Sequence, residues 1–403
     1  MKGKNLATLY VWLFVFYLLS TSLLGSSFII TRIFSHILRI WSLLCFLSLL
    51  SSYGLKPAML KALGALLLMF VCYGMIQEFQ GTIYYAHDPP VPITGSFFVF
   101  KICASLLPIF AFCFYAKRGY ITESFISNRI VLFLIIITIG AISNMTKELS
   151  QADTDEITNN FGYTYLSLMP MLVFIKTKFR RVLFGAFCLI MILLCMKRGA
   201  ILISFIVITV YMLSLLKESS KSTKIRVVVS MLLISLIAFY AVNRMMSRSD
   251  YFQERVNDTM EGDSSGRDIY YAFFIDYYLN NTTDEEFLLG MGANATLGIW
   301  HNYAHNDWLE IAINQGLFGV FLYLIYWITF LKLCLKKGVE HKIKTALWIV
   351  FVIYFLQTFF SMSYSDYTLY SSMVLGYCIA CSAENSCKDT NLVTNDKTDL
   401  NVL

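Results

Sequence analysis

The hydrocarbon core of a bilayer is about 30 Å thick, so a helix that crosses it needs about 20 consecutive apolar residues. Such runs make up most of this chain, near 6–25, 33–52, 58–79, 95–116, 129–146, 161–176, 181–196, 199–216, 225–243, 308–331, 344–362 and 367–383. They leave no room for a soluble domain carrying a single anchor. Composition agrees: 57% of residues are hydrophobic and 14% charged, against about 45–50% and about 25% in soluble domains. The runs lack the in/out alternation of barrel strands, so helices are the only way to satisfy their backbone in lipid. The expected fold is an all-α polytopic membrane protein with about twelve transmembrane helices and one long external loop between the ninth and tenth. Residues 1–383 are expected to form a single helical domain, with the external loop near 244–307. The tail 384–403 is polar and aperiodic, and is read as cytoplasmic and disordered. The basic start "MKGKNLATLYVWLFVFYLLS" is followed by an apolar run without a small-residue cleavage site, so it reads as an uncleaved first helix.

The basic residues set the expected orientation. With the amino terminus inside and alternation through twelve spans, the loops holding Lys56/Lys61, Lys117/Arg118/Arg129, Lys176/Lys178/Arg180/Arg181, Lys217/Lys221/Lys224/Arg226 and Lys332/Lys336/Lys337/Lys342/Lys344 all fall on the cytoplasmic side. The acidic loops "YYAHDPPVP", "KELSQADTDEIT" and the 244–307 excursion fall outside. The net charge of +6 is therefore a topology signal rather than a nucleic-acid one. Most cysteines lie inside apolar runs and behave as small hydrophobes. The pair Cys378/Cys381 has no second pair or histidine beside it, which argues against a zinc or redox site.

Chemistry concentrates where polar residues break these rules. Lys197 and Arg198 form the one basic turn expected to face outward, and Arg198 opens a helix with Gly199 behind it. A helix start offers unpaired backbone donors and a positive dipole end, and an arginine fork grips phosphate bidentately. The bland alternative is an interfacial arginine that snorkels. The external loop carries four arginines among more numerous carboxylates, so any anion site in it has to be local. Arg267 suits that role: "SSG" before it reads as a turn, and "IYYAFFIDYYL" after it as an amphipathic helix. Its alternative is a simple ion pair with Asp263 or Asp268. The aromatics from Tyr270 and Tyr271 onward suit a headgroup-level face or a sugar-stacking one.

His305 stands at the last polar turn before the tenth helix. Asn306 or Asp307 can cap that helix, and Asp307-x-x-Glu310 resembles a capping box. A helix amino terminus disfavours an adjacent positive charge, which suits a neutral imidazole acting as a general base. The alternative is a cap histidine without catalytic work. His301, four residues earlier, is the runner-up. The i, i+4 histidines lack a third ligand and the HExxH pattern, so no metal is expected. Lys101 and Arg39 lie within apolar runs and should face the bundle interior, with no partner legible in the sequence.

These residues resemble the O-antigen ligase and O-antigen polymerase superfamily. "AHNDWLEIAINQGLFG" is similar to that family's His-Asn helix start, with Leu309 four residues and Gly316 eleven residues after His305. "KRGAILISF" resembles its Arg-Gly/Ala helix start with Arg198 and Leu202 in an RxxxL relation. "SSGRDIYYAF" resembles its Ser-Gly-Arg segment through Arg267, and "FLLGMGANA" its Leu-x-Gly-x-Gly element through Gly290 and Gly292. The elements occur in the family's order over roughly residues 160–335.

The resemblance implies glycosyl transfer from a polyprenyl-pyrophosphate-linked oligosaccharide donor to a glycan acceptor. Arg198 and Arg267, with Lys197 beside them, would hold the pyrophosphate. His305 would act as base with Asn306 or Asp307 orienting it, and Tyr270, Tyr271 and His301 would touch substrate. No cofactor or metal is implied. Membrane lipid is an expected partner, a chain-length regulator a candidate one, and nucleic acid is not expected. The implied place is the cytoplasmic membrane with the site facing outward. Two activities fit, a polymerase joining repeat units and a ligase moving finished glycan to another acceptor, and no residue here reads the acceptor. A transporter would instead show charges in mid-helix and internal repeat symmetry.

Overall fold

The computed structural model describes residues 2–25, 28–86, 91–151, 160–195, 197–217, 267–300 and 302–383, with isolated positions between 218 and 266. The expected ninth span at 225–243, the first part of the 244–307 loop and the tail 384–403 lie largely or wholly outside the described residues.

Helices dominate the rest, and they follow the apolar runs closely. They are α1 Lys2–Leu24, α2 Ile29–Tyr53, α3 Ala58–Gln80, α4 Gly95–Lys117, α5 Glu123–Ser127, α6 Ile130–Gln151, α7 Phe161–Leu172, α8 Lys178–Leu194 and α9 Arg198–Lys217. After the loop come α10 Arg267–Asn280, α11 Asp284–Leu289, α12 Ala295–Trp300, α13 Asp307–Leu335, α14 His341–Gln357 and α15 Leu369–Ala383. Among the described residues, seven stretches are long and apolar enough to cross a membrane: α1 to α4, the α5–α6 stretch, α9 and α13. The protein is an all-α polytopic membrane protein in its spans. One short antiparallel hairpin, β1 Tyr84–Ala86 with β2 Val91–Ile93, departs from the purely helical expectation.

The bundle is organised round α4, which packs against α2, α3 and α15. From Ser105 to Cys113 every residue of α4 is buried, including Pro108. Several polar side chains inside the bundle pair with one another, which an apolar surrounding favours. Tyr10 and Ser42 share a hydrogen bond of 2.7 Å, and the Trp41 indole N–H donates to the Tyr115 hydroxyl at 2.7 Å. Large apolar side chains point outward along the helices, among them Ile33, Ile37, Ile40, Leu44 and Leu47 on α2. That is the exposure pattern of a lipid-facing surface.

One expectation is corrected here. The 308–331 run is not one continuous helix: at Gly316 the backbone turns to φ 65°, ψ −166°, splitting α13 into a short leading piece and a longer trailing one. The break frees carbonyls of the leading piece, and they are taken up at once. Met291 N–H donates to Ile313 O at 2.9 Å and Gly292 N–H to Asn314 O at 3.0 Å. The Leu-x-Gly-x-Gly element and the Gly316 position are thus two halves of one backbone junction. Gly290 also has positive φ, 79°, and a Cβ there would lie 2.4 Å from the Gln315 nitrogen.

The described part of the expected loop contains the helix read after Arg267 and two shorter ones, and it is tied to the bundle. Tyr73 of α3 donates to Leu289 O, and Asn294 donates to Gln77 of α3 at 2.9 Å. A Thr283/Glu286 capping box starts α11.

Substituting Gly316→Ala tests the junction. The new Cβ would stand 2.4 Å from the Gly290 nitrogen at a positive φ. The expected loss is on the order of 2 kcal/mol or more, from strain and displaced backbone together. Gly338→Ala is the control, since its φ is 80° with nothing within 4 Å. Thermal unfolding in detergent should show a larger fall for Gly316→Ala than for Gly338→Ala.

Candidate functional site

The first turn of α13 builds the floor of the site. Asn306 is its N-cap, with its side-chain oxygen accepting from Trp308 N–H at 3.0 Å and Leu309 N–H at 3.3 Å. His305, one residue earlier, sits at φ 51°, a left-handed conformation that L residues adopt rarely. A side chain held in such a backbone is set by what surrounds it.

Two buried carboxylates supply that surrounding. Asp307 and Glu310 both have 0% exposure. Glu310 accepts from Ala304 N–H, from the Thr296 hydroxyl at 2.8 Å and from the Asn314 amide at 3.1 Å. It therefore clamps the residue just before His305 to α12 and to the leading piece of α13. Asp307 accepts from Ser363 N–H at 2.8 Å, Tyr323 hydroxyl at 2.6 Å, Tyr364 N–H at 3.2 Å and the Ser363 hydroxyl. Its own N–H donates to Thr358 O at 2.8 Å. The expected Asp307–Glu310 capping box is replaced by two buried anchors. The Asp307 carboxylate is engaged by these donors inside the protein.

Tyr271 of α10 lies over the histidine turn. Its hydroxyl is within donating distance of Phe359 O at 2.9 Å and His305 O at 3.3 Å, and it shares a side-chain hydrogen bond with Asn306. Burial pushes the Tyr271 hydroxyl pKa up, against the opposing pull of the Arg267 charge and the Asn306 bond. It therefore stays protonated and able to donate. Arg267, the first residue of α10, acts electrostatically on both Tyr271 and Tyr163 of α7. The Tyr163 hydroxyl in turn lies against Gly199, where a Cβ would be 2.3 Å from it. Gly199 thus lets α7 and the start of α9 meet at the Tyr163 ring. Arg198 opens that helix, partly buried.

Gly199 at the α9 start thus meets Tyr163, the Arg267 charge acts on Tyr163 and Tyr271, and Tyr271 lies over the His305–Asn306 turn. Segments more than a hundred residues apart in sequence reach one end of the bundle. Lys197 stands beside Gly162 of α7, 3.5 Å from the place its Cβ would occupy. Tyr270 turns elsewhere, packing edge-on against Trp300 at 5.6 Å within a small core around the fully buried Phe274. Much of the aromatic face expected for sugar is spent on that core: Phe273 meets Trp300 at 4.3 Å and Tyr278 stacks on Phe287 at 4.9 Å. His301 lies outside the described residues, as does Asp263.

Three contributors were not legible in the sequence. Tyr163 sits in an apolar run and carries no motif. The Ser363–Ser365 turn that receives Asp307 follows α14 with no local signal of its role. Lys101 has the partner that the sequence withheld: its ammonium is 3.9 Å from Asp366 and 5.9 Å from the Tyr303 ring. Arg39 donates to Ser35 and lies over the Phe100 ring at 4.7 Å. Among the described residues, no three histidine, cysteine or carboxylate side chains group as metal ligands.

A family model described as O-antigen ligase matches residues 183–324. This segment belongs to the O-antigen ligase and polymerase superfamily. The matched O-antigen ligase region runs from α8 into the trailing piece of α13, and so contains Arg198, Arg267, His305 and the Gly290–Gly316 junction. Tyr163 and the residues that receive Asp307 after α14 lie beyond it. No curated protein matches the chain.

Removing the Glu310 clamp tests this construction. Glu310→Ala leaves three buried donors without their acceptor, and each buried polar group left unsatisfied costs about 1–3 kcal/mol. The expected loss of stability is on the order of 3 kcal/mol, read as a lower unfolding temperature in detergent. Wild-type unfolding for this variant would show that the clamp contributes nothing.

Proposed function

We propose that the protein is a membrane glycosyltransferase that polymerises polyprenyl-pyrophosphate-linked oligosaccharide repeat units into surface polysaccharide. The site is assigned to the external face of the cytoplasmic membrane. The observation that carries this reading is the gathering of Arg198 at a helix start, Arg267, Tyr271 and the N-cap turn of His305 at one end of an apolar bundle. That set joins anion-gripping groups to a candidate base, beside lipid in which a polyprenyl tail dissolves.

In the proposed step His305 takes the proton from an acceptor sugar hydroxyl. The freed oxygen pair attacks the anomeric carbon of the donor, and the bond from that carbon to the pyrophosphate oxygen breaks. Configuration inverts in this single displacement. The leaving polyprenyl pyrophosphate gains negative charge, which Arg198, Arg267 and the α9 dipole stabilise more strongly than they do the bound donor. Asn306 and Tyr271 hold the histidine turn rather than react. The charge stabilisation comes from two arginines and a helix start, and the reading calls on no metal or cofactor.

The description of the matched family favours a second reading, in which the same step moves a finished glycan onto a different acceptor. Incubating purified protein with a defined polyprenyl-pyrophosphate oligosaccharide separates the two. A ladder without added acceptor marks a polymerase, and a single product that requires acceptor marks a ligase. Formation of neither product removes the glycosyltransferase reading.

His305→Ala should slow product formation by about 10²–10⁴-fold, the scale of general-base help. Lipid-linked substrate and protein level should be unchanged. If the variant still made product at the wild-type rate, the base assignment would be lost. Arg267→Lys keeps the charge but loses the two-pronged grip, and should cost about tenfold to a hundredfold in rate. Near-normal turnover there would remove Arg267 from the pyrophosphate.

A further inference from the structure

Lys101 stands within the apolar run of α4, and the step proposed for His305 does not use it. A charge in such a run is costly and marks a task or a pairing. Its partner is Asp366, in the turn before α15, with 3.9 Å between ammonium nitrogen and carboxylate oxygen. The two side chains remain 34% and 49% exposed, and a pair open to that degree contributes little to stability. A structural brace is a poor account of it.

The pair has a third member. The Tyr303 ring centre lies 5.9 Å from the Lys101 ammonium. Three segments therefore converge: α4, the turn before α15 and the strap that leads to His305. Hydrogen bonds hold each of them. Ser105, one turn along α4, accepts from Tyr367 N–H at 2.9 Å, and Asp366 N–H donates to Ser363 O at 3.1 Å in the turn that receives Asp307. Glu310 holds Ala304, and so the residues on either side of it, Tyr303 and His305. The alpha carbons of those two are at most about 7.6 Å apart, two steps of about 3.8 Å.

What the set can hold follows from the bonds it leaves unmade. Among the described residues, no group donates a hydrogen bond to the Asp366 carboxyl and none bonds the Tyr303 hydroxyl. At 3.9 Å the ammonium and carboxyl are beyond direct hydrogen bonding, and a hydroxyl between them accepts from one and donates to the other. Surrounding protein raises the Asp366 carboxyl pKa above its ordinary value, against the pull of Lys101, and either form accepts from a hydroxyl. The half-buried Tyr303 ring adds a face of the kind that packs on the C–H side of a sugar. A phosphate would have to displace Asp366 from the ammonium, and an apolar ligand would leave both charges unserved. A neutral sugar satisfies all three members.

We propose that Lys101, Asp366 and Tyr303 form the subsite for the acceptor sugar, a neutral one whose hydroxyls bridge the ammonium and the carboxyl. Its place in the reaction rests on the glycosyltransferase reading. Tyr271 reaches the strap from α10, at His305 and Asn306, whereas this set reaches it from α4 and the turn before α15, at Tyr303. Donor and acceptor thus have separate contacts next to the base. A single displacement needs that separation, because the attacking oxygen and the leaving group lie on opposite faces of the anomeric carbon.

The test is binding of the repeat-unit oligosaccharide, released from lipid and pyrophosphate, to the detergent-purified full chain, followed by saturation-transfer NMR titration. Wild-type protein should bind it. Asp366→Asn and Lys101→Gln should each weaken binding about tenfold, the loss of one charge-assisted bond. Tyr303→Leu should weaken it about threefold to tenfold. Arg267→Lys should bind as wild type, since this probe carries no pyrophosphate. The double variant of Asp366→Asn with Lys101→Gln leaves no charge unpaired and should bind no better than either single one. Unfolding temperatures establish that each variant is folded. Restored binding in the double variant would make the pair a brace and overturn the proposal. So would no binding by wild type, wild-type affinity in the single variants, or displacement of the sugar by inorganic pyrophosphate at comparable concentration. Binding that is lost in these variants while wild type makes no transfer product would remove the reaction and keep the sugar site.

Discussion

Two carboxylates one helical turn apart, Asp307 and Glu310, are shut away from solvent at the start of α13, and the site is arranged around them. A buried carboxylate without partners is among the most unfavourable groups a protein can hold. Here each is surrounded by donors drawn from different parts of the chain. Glu310 gathers Ala304, Thr296 and Asn314, while Asp307 gathers Tyr323, Ser363 and Tyr364. Satisfying the two carboxyl groups therefore fixes the approach to His305, the start of α12 and the turn after α14 at once. The histidine is positioned by its neighbours' requirement for hydrogen bonds rather than by its own.

The break at Gly316 makes this possible. A continuous helix from Asp307 to Leu335 would keep the carbonyls of Ile313 and Asn314 within its own ladder. With the break they accept from Met291 and Gly292, and the segment before α12 becomes a strap across the leading piece. Interrupted helices are tolerated at membrane depth only where protein backbone satisfies the freed groups. The two glycine positions are that satisfaction seen from both sides. The same junction ties the described part of the expected 244–307 loop to the leading piece of α13.

Much of this was legible in the sequence. The apolar runs gave the helices to within a few residues, because lipid leaves a chain no other way to pair its backbone. Arg198 opens a helix as expected, Arg267 is the first described residue of another, and Asn306 caps as its side chain suits it to do. What could not be read was where charged groups would point. Asp307 and Glu310 look like an ordinary capping box, since three-residue spacing at a helix start is the same whether the pair faces water or the interior. Tyr270 and Tyr271 are adjacent and alike, yet one packs on Trp300 and the other spans the histidine turn. Neighbouring residues on a helix point in directions about 100° apart, and only the partner elements decide which direction is the site.

The sequence alone determined a helical membrane protein, the boundaries of its long helices and the polar residues available for chemistry, because solvent and backbone pairing act on local composition. The tertiary structure decided that the α9 start, Tyr163, Arg267 and the His305 turn meet at one end of the bundle. Such meetings depend on packing between helices and on hydrogen bonds across long stretches of chain. Those are properties of the whole assembly, which no local run of residues encodes.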